Sequence, residues 1–312
     1  LAGRALTSAE ATDPFTFIEA GWDFDTVWGK STTGENSGYM MLHHQGGTLY
    51  DGYLRIAGNL ERDYGEANPG FGSVILSAGS VAVDWAPTID GLTNAGSYAL
   101  ADPGALTISQ TGSLYSDTTN AGNLVINKAL VTVTANDDSK TYDGVAYSGG
   151  NGVTYSGFKN SQDISVATSG STNFGGDADG AINAGTYTIG LAGDLAADNY
   201  EFAYVDGTLT VDKAALTVSS SDVTKTYDGT VTAAGTAVVT GGTLYGTDAL
   251  AGGAFAFDTA DAGTGKTVTV SGVTVNDGNG GNNYAVTYAA NTSSTVDKAA
   301  LTVTANDDSK TY

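Results

Sequence analysis

The chain has 312 residues, of which 44 are glycine, 34 are acidic and 12 are lysine or arginine, so its formal charge is −22. A chain this acidic is repelled by nucleic acids and by anionic membrane surfaces, which argues against both as partners. Cysteine is absent, and no apolar run approaches the roughly 20 residues needed to span a bilayer, so neither disulfides nor a membrane span is predicted.

Residues 1–50 do not follow the repeat described below, and we predict that they form a short β-rich cap or junction segment. Trp22–Gly29 alternates apolar with polar residues, and Tyr39–Leu42 is a second candidate strand. The only histidines, His43 and His44, would point to opposite faces of a strand. Because no constellation of nucleophile, base and acid is visible, we predict no catalytic residues and do not expect an enzyme.

A repeat of 85 residues organises the rest of the chain. The phrase Lys-Thr-Tyr-Asp-Gly occurs at Lys140–Gly144 and Lys225–Gly229, and its first three residues recur at 310–312. Residues 132–142 and 302–312 share the identical text TVTANDDSKTY. Two markers at one fixed spacing are typical of tandem modules. Because the chain begins without an initiator methionine and ends inside a motif, we expect it to be part of a longer protein.

The repeat divides the chain into segments, each closed by a lysine that is followed by alanine. These lysines, at positions 128, 213 and 298, keep the same step of 85 residues. No flexible linker lies at these seams, so neighbouring modules are expected to hold a fixed orientation. The predicted segments are a diverged module with a Tyr-Gly turn at 51–128, a module at 129–213, a module at 214–298, and the start of the next repeat at 299–312.

Within the modules the apolar pattern is that of strands. Tyr200, Phe202 and Tyr204 alternate with polar or small residues, and clusters of Gly, Asn, Asp and Ser separate the runs. Asp206-Gly207 joins two alternating runs and predicts a hairpin. The fold class is therefore all-β: a tandem array of small modules, either β-sandwich (Ig-like) or β-grasp-like, after the cap. The pattern leaves both module folds open.

The candidate site residues of the repeated motif have a structural and a functional interpretation. In the structural one, tyrosine fills the module's core, aspartate caps the turn and glycine adopts a positive φ. In the other, the motif is a recognition surface. We favour the structural role, because a residue needed in every copy is usually needed by the fold. The residues concerned are Lys140, Tyr142, Asp143, Gly144, Lys225, Tyr227, Asp228 and Gly229.

Two oxygen-rich loops are candidate calcium sites, and calcium is the one cofactor considered. Calcium takes six to eight oxygen ligands, but neither loop has the EF-hand spacing with a glutamate at the twelfth position. Solvated turns are the favoured interpretation. The candidate ligands are Asn136, Asp137, Asp138, Asn276, Asp277 and Asn279.

The phrases Lys-Thr-Tyr-Asp-Gly, Asn-Ala-Gly-Thr-Tyr, Asp-Asn-Tyr and Gly-Thr-Leu-Thr-Val-Asp-Lys-Ala resemble those of the MBG ("mostly beta, glycine-rich") and YDG repeats. Residues 129–213 resemble the MBG type and 214–298 the YDG type, while 51–128 is similar to a variant with a Tyr-Gly motif. Such repeats fill the stalks of large bacterial surface adhesins of the filamentous-haemagglutinin type. The Trp22–Leu42 segment resembles the piece that these adhesins carry between a β-helix and the repeat array.

The resemblance implies a structural stalk or spacer without catalysis, in a protein exported by a two-partner route. It implies an extracellular location, on the Gram-negative outer membrane or secreted, and a role in cell attachment and biofilm formation. Neighbouring repeats are the expected partners, with a polysaccharide or host receptor bound outside these residues. Two alternatives stay open: a self-assembling fibre subunit, and a repeat module that itself binds polysaccharide through exposed tyrosine and loop Asn or Asp.

Overall fold

The computed structural model describes residues 58–70, 89–100 and 121–312. It also describes short pieces at 6–7, 10–11, 16–17, 20, 28–30, 40–42, 52–55, 74–76, 80–85, 106–111 and 114–117. Strands predominate among the described residues and helical residues are few, which confirms the all-β prediction. Among the described residues, no helix is long and apolar enough to cross a membrane.

In the first 50 residues, β1 (Trp28–Lys30) pairs antiparallel with β2 (Met40–Leu42). The remainder of the predicted Trp22–Gly29 strand, as well as His43 and His44, lies outside the described residues.

The strands of the three repeats follow in chain order. The first repeat contains β3 (Gly52–Arg55), β4 (Gly58–Asp63), β5 (Val74–Leu76), β6 (Ser80–Trp85), β7 (Gly96–Ala99), β8 (Leu106–Thr111), β9 (Leu114–Asp117) and β10 (Ala121–Asn127). The second contains β11 (Ala129–Ala135), β12 (Asp138–Thr141), β13 (Val153–Ser156), a 3-10 helix (Ile164–Val166), β14 (Thr172–Gly175), β15 (Gly185–Gly193), β16 (Tyr200–Val205) and β17 (Gly207–Asp212). The third contains β18 (Ala214–Ser220), β19 (Thr224–Thr226), β20 (Ala237–Gly241), β21 (Ala249–Phe257), β22 (Gly263–Asn276), β23 (Tyr284–Tyr288) and β24 (Asn291–Asp297).

Two sheets, an opening one and a closing one, recur in every repeat with related strand orders. The opening sheet has the repeat's first strand at its centre, in the orders β5-β3-β9, β13-β11-β16 and β20-β18-β23. The closing sheet pairs the second strand in parallel with the last one, in the orders β4-β10-β7, β12-β17-β15-β14 and β19-β24-β22-β21. A further pair, β6 with β8, lies in the first repeat.

The hairpin predicted at Asp206-Gly207 is wrong. Strand β16 belongs to the opening sheet and β17 to the closing sheet, so the chain changes sheets at this dipeptide. The Asp206 carboxylate accepts the Leu191 N–H at 2.7 Å instead of closing a two-residue turn. A Cβ on Gly207 would lie 2.6 Å from the carbonyl oxygen of Ala135, so the close approach of two backbones requires glycine here.

The structure divides into two compact units, and each contains parts of two successive repeats. The first comprises residues 1–133, 155–171 and 194–203. Its core combines residues of the first repeat's closing sheet, such as Leu124 and Ile126, with residues of the second repeat's opening part, such as Val131 and Tyr200. Each such aliphatic side chain stabilises the fold by roughly 1.5–3 kcal/mol through burial. The core is therefore a β-sandwich formed across the seam at Lys128.

The second unit comprises residues 134–154, 172–193 and 204–312. One of its apolar clusters is formed by Val223, Ala233, Phe257, Val268 and Val296, all within the third repeat. Leu209 of the second repeat and Leu216 of the third are also fully buried in this unit. In β17 and in the first half of β18, buried positions alternate with exposed or half-buried ones, as the period-two pattern of the sequence predicts, whereas the last three residues of β18 are all buried.

Candidate functional site

The Lys-Thr-Tyr-Asp-Gly motif of the second repeat forms a closed turn after β12. Oδ1 of Asp143 accepts the Val145 N–H at 2.9 Å and lies 2.7 Å from the ammonium nitrogen of Lys140. The same ammonium donates to the carbonyl oxygen of Val145 at 2.7 Å. Gly144 has a φ of +72°, a region that favours glycine. These contacts lower the pKa of Asp143, first through the hydrogen bond from Lys140 and then through the Val145 N–H.

The motif of the third repeat forms the same turn after β19. The Lys225 ammonium lies 2.8 Å from Oδ1 of Asp228 and donates to the carbonyl oxygen of Thr230 at 2.6 Å. Gly229 has a φ of +73°. The Lys225 hydrogen bond and, next, the N–H of Thr230 lower the pKa of Asp228 to about 2. In both repeats the lysine and the aspartate of the motif are engaged with each other.

We predict that Asp228 titrates near pH 2, well below its ordinary 3.8. Because the folded pKa is depressed, this turn's electrostatic contribution to stability is present above about pH 4 and lost as the pH falls through about 2. Carbon-detected NMR of the side-chain carboxyls measures this value directly. In the Lys225→Met variant the pKa of Asp228 is expected to rise by about one unit. An unchanged pKa in that variant would contradict the assigned cause.

The tyrosine of the second repeat's motif is buried in the second unit by residues of the third repeat. Tyr142 is 4% exposed, and its ring meets those of Tyr245 and Tyr284 edge-on, with centroids 5.8 and 5.3 Å apart. Its hydroxyl donates to Oδ2 of Asp248 at 2.9 Å, and the Tyr284 hydroxyl donates to the same oxygen at 2.6 Å. Two phenols thus share one carboxylate at a site that neither repeat completes alone.

The first unit contains an equivalent site. Tyr64 is 2% exposed, and its ring meets that of Tyr200 edge-on at 5.4 Å. Both hydroxyls donate to Oε1 of Gln162, at 3.2 and 2.5 Å. A Cβ on Gly65, whose φ is +80°, would lie 2.4 Å from the Cβ of Lys159. The glycine after the tyrosine therefore lets the next repeat approach closely.

A pair of asparagines lies beside each tyrosine site. In the second unit, Oδ1 of Asn283 accepts the Ala184 N–H at 2.8 Å, and its amide nitrogen donates to Oδ1 of Asn183 at 3.0 Å. In the first unit, Asn199 makes the same two bonds to the Ala95 N–H and to Asn94, at 2.8 and 2.9 Å. We call this arrangement the asparagine clamp.

The clamp was not predicted from the sequence. The phrases Asn-Ala-Gly and Asn-Tyr were both visible, and their asparagines are separated by 105 residues in the first unit and 100 in the second. That sequence separation is similar in the two units and is longer than one repeat, and it was the feature of the sequence from which the pairing could have been predicted. It indicates a contact between each repeat and the next.

Alkaline conditions are expected to destabilise the second unit through its tyrosines. Burial first, and then hydrogen bonding to Asp248, raises the pKa values of Tyr142 and Tyr284 above the ordinary 10.0. Because the folded pKa values are raised, the stabilisation is complete below pH 10 and declines as the pH rises above it. Urea unfolding between pH 8 and 11.5, with tyrosinate absorbance at 295 nm, measures the decline. It is expected to be shallower in Tyr142→Phe, and an identical slope would refute this assignment.

The tyrosine of the third repeat's motif has a different environment from that of the second. Tyr227 is 46% exposed, although its N–H bonds to the Asp297 carbonyl at 2.8 Å, just as the Tyr142 N–H bonds to that of Asp212. Identical motifs and identical backbone positions therefore give one buried ring and one half-exposed ring.

The candidate calcium ligands at 136–138 lie where the chain passes from β11 to β12 and changes sheets. The Asn136 amide donates to the carbonyl oxygen of Asn151 at 3.0 Å. Oδ1 of Asp137 accepts the Thr208 N–H at 2.7 Å, and Oδ2 of Asp138 accepts the hydroxyl of Tyr147 at 2.9 Å. Burial and this bond to Asp138 raise the pKa of Tyr147 to about 12. The side chains of this loop therefore hydrogen-bond the segment between β11 and β12 to neighbouring parts of the chain.

The candidates at 276–279 form a loop centred on a buried carboxylate. Oδ1 of Asp277 accepts the N–H groups of Asn279 and Gly281 at 2.8 and 2.7 Å, and Oδ2 accepts that of Asn283 at 2.9 Å. Burial opposes ionisation of Asp277, but the three backbone donors outweigh it and lower the pKa. Asn276 is exposed. Asp277 thereby positions Asn283 for the asparagine clamp.

Within the described part of the chain, no group of three or more His, Cys, Asp or Glu side chains is placed to hold a metal ion. The Asp137 and Asp138 side chains border a shallow surface depression of about 330 Å³, which Ser139, Asn151, Thr208 and Thr210 also line.

The comparison with protein families gives two matches. A family described as the MBG domain (YGX type) matches residues 131–210, and a family described as the YDG domain matches residues 212–294. No curated protein and no solved structure matches the chain.

Proposed function

Because residues 131–294 are an MBG/YDG-type repeat region, we propose that the chain is a structural spacer in a bacterial surface adhesin or extracellular fibre. MBG and YDG domains occur in extracellular repeat proteins. In this proposal the protein is exported by a two-partner route in a Gram-negative bacterium, supports cell attachment and biofilm formation, and has no catalytic role.

The observation that carries the proposal is that the repeat's most distinctive residues join one repeat to the next. Tyr142 and Asn183 of the second repeat bond to Asp248 and Asn283 of the third. The same pattern joins the first and second repeats through Tyr64 and Asn199 in the first unit. A motif that binds a ligand would keep polar groups available, whereas these groups are used within the chain. Such use of polar groups between repeats is expected of a module whose role is to bind its neighbours in the array.

Small-angle X-ray scattering of the full chain at several concentrations, with and without calcium, tests the proposal. We expect an elongated particle whose maximum dimension is independent of concentration. The Asn283→Ala variant removes the clamp of the second unit and is expected to broaden the distance distribution. The Asn276→Ala variant, altered in the same loop at an exposed position, is the matched control.

Each other outcome identifies another function. A compact particle would refute the spacer and direct attention to a binding site. A dimension that grows with concentration would favour the self-assembling fibre. Stiffening on addition of calcium would assign the loops at 136–138 and 276–279 a cation-binding role in the array.

A further inference from the structure

The closing sheet of the third repeat presents the same surface features that the second repeat's closing sheet uses at its seam. Tyr227 follows β19 as Tyr142 follows β12, with the equivalent backbone hydrogen bond. Gly263 pairs with Val296 as Gly185 pairs with Val211, so Asp261 and Ala262 occupy the positions of Asn183 and Ala184. The second unit therefore contains, a second time, the tyrosine of a tyrosine site and the two residues that accept the asparagine of a clamp.

In this second instance the surface is open. Tyr227 is 46% exposed, where Tyr142 is 4% exposed, and both Asp261 and Ala262 are exposed. The Asp261 carboxylate can accept an amide N–H as the Asn183 oxygen does, and the Ala262 N–H corresponds to the Ala184 N–H that bonds to Asn283. The surface therefore has the chemistry to receive an Asn-Tyr pair on a neighbouring strand. We call Tyr227, Asp261 and Ala262 the terminal face.

The last residues of the chain indicate what covers this face. Residues 302–312 are identical in sequence to 132–142, yet they are exposed and form no strand. In the second repeat the same sequence begins within β11, whose buried positions alternate with exposed or half-buried ones, and it continues through β12 to Tyr142. Strand β11 lies between β13 and β16, which supply its hydrogen-bond partners. A strand without such partners cannot bury its backbone groups.

We propose that the terminal face is the docking surface for the opening sheet of a further 85-residue repeat, in which residues 299–305 form the central strand. The docked sheet supplies a tyrosine ring edge-on to Tyr227, as Tyr284 does to Tyr142. It also supplies the asparagine that precedes this tyrosine, which bonds to Ala262 and Asp261. This inference goes beyond the spacer role, because the contact between the two repeats does not depend on the biological function of the array.

The shared sequence makes a direct test possible. Residues 143–213 are appended after Tyr312 of the full chain, so that the identical text 302–312 is continued as it is in the second repeat. No further repeat covers the closing sheet of the added repeat. This does not prevent folding, because the closing sheet of the third repeat is folded although no further repeat covers it. The probes are nitration of tyrosines by tetranitromethane, read by mass spectrometry, and amide hydrogen exchange of 299–312.

We expect nitration of Tyr227 to fall by about tenfold or more in the extended chain, because modification then requires the docked sheets to open. Amide exchange of 299–305 is expected to slow in parallel. Tyr142 is the buried control, unreactive in both chains, and Tyr288, 44% exposed on the third repeat's opening sheet, is the reactive control. Replacing the appended copy of Asn199 with alanine should restore part of the Tyr227 reactivity.

Three outcomes would overturn the proposal. In the first, the added repeat is protected from exchange but Tyr227 reacts as before. In the second, the added repeat stays unprotected, since the proposal requires this face to support its opening sheet. In the third, Tyr227 of the unextended chain becomes protected as a dimer forms, which would assign the face to a second copy. None of these outcomes depends on the particle dimension that tests the spacer function.

Discussion

Replacing Tyr142 with alanine is expected to lower the free energy of unfolding of the second compact unit by about 3–5 kcal/mol, the range typical of buried aromatic residues. The ring is 4% exposed and contacts two other tyrosines, and its hydroxyl bonds to Asp248. The chain has two units, so a single melting curve is not sufficient. Urea-dependent amide exchange, followed separately for β18 and for β10, measures the loss in one unit and shows whether the other is unaffected.

The matched control is Tyr227→Ala, the same substitution in the same motif. Tyr227 is 46% exposed, so its loss is expected to cost less than about 1 kcal/mol. A Tyr142→Phe variant retains the ring packing and is expected to cost about 0.5–1.5 kcal/mol, the worth of one hydrogen bond. Equal losses for the two alanine variants would show that the motif's tyrosine acts within its own repeat, and would contradict burial by the next one.

The second large effect is expected at Asp277. Its replacement by alanine removes the acceptor of three backbone N–H groups, including that of Asn283, which is fully buried. Leaving the buried N–H of Asn283 and the half-buried N–H groups of Asn279 and Gly281 without this acceptor is expected to cost about 2–4 kcal/mol in the second unit. The same exchange measurement at β18 reports it. The substitution Asn276→Ala, in the same loop but exposed, is expected to stay within about 0.5 kcal/mol.

A double-mutant cycle shows whether Asp277 acts through the clamp. Because Asp277 positions Asn283, the cost of Asn183→Ala should shrink in the Asp277→Ala background. Strict additivity would mean that the loop and the clamp are independent. If millimolar calcium stabilises the parent chain and this effect disappears in Asp277→Ala, the carboxylate is a cation ligand and its structural role is secondary.

The repeat period and the strand content could be predicted because both are local properties of the sequence. The alternation in 129–135 identifies which side chains are buried, and a strand lies there. In 200–205 it identifies the strand, but of the three aromatic rings only Tyr200 is buried, while Phe202 and Tyr204 are half-buried. It does not identify what they pack against, since a period of two is the same for any partner sheet. The Asp206-Gly207 prediction failed for a related reason: turn residues mark a change of direction, whether the chain returns along the same sheet or enters another.

The candidate site was predictable only in part, because burial of the motif depends on distant residues. Tyr142 and Tyr227 stand in the same five-residue phrase, yet the carboxylate that binds the Tyr142 hydroxyl is 106 residues further along. No local pattern distinguishes the two rings. The separations of 105 and 100 residues between the clamp asparagines are visible in the sequence. They predict a contact only once it is known that each compact unit contains parts of two repeats.

The sharing of each sandwich between successive repeats has a consequence for how the chain folds during synthesis or export. The tyrosine turn of the second repeat emerges first, but its site is complete only after Asp248 and Tyr284 of the third repeat have followed. An emerging array would then always carry one unfinished site at its growing end, and each new repeat would finish the previous one while opening the next. Folding in such a chain proceeds from the end that appears first, with a delay of about one repeat.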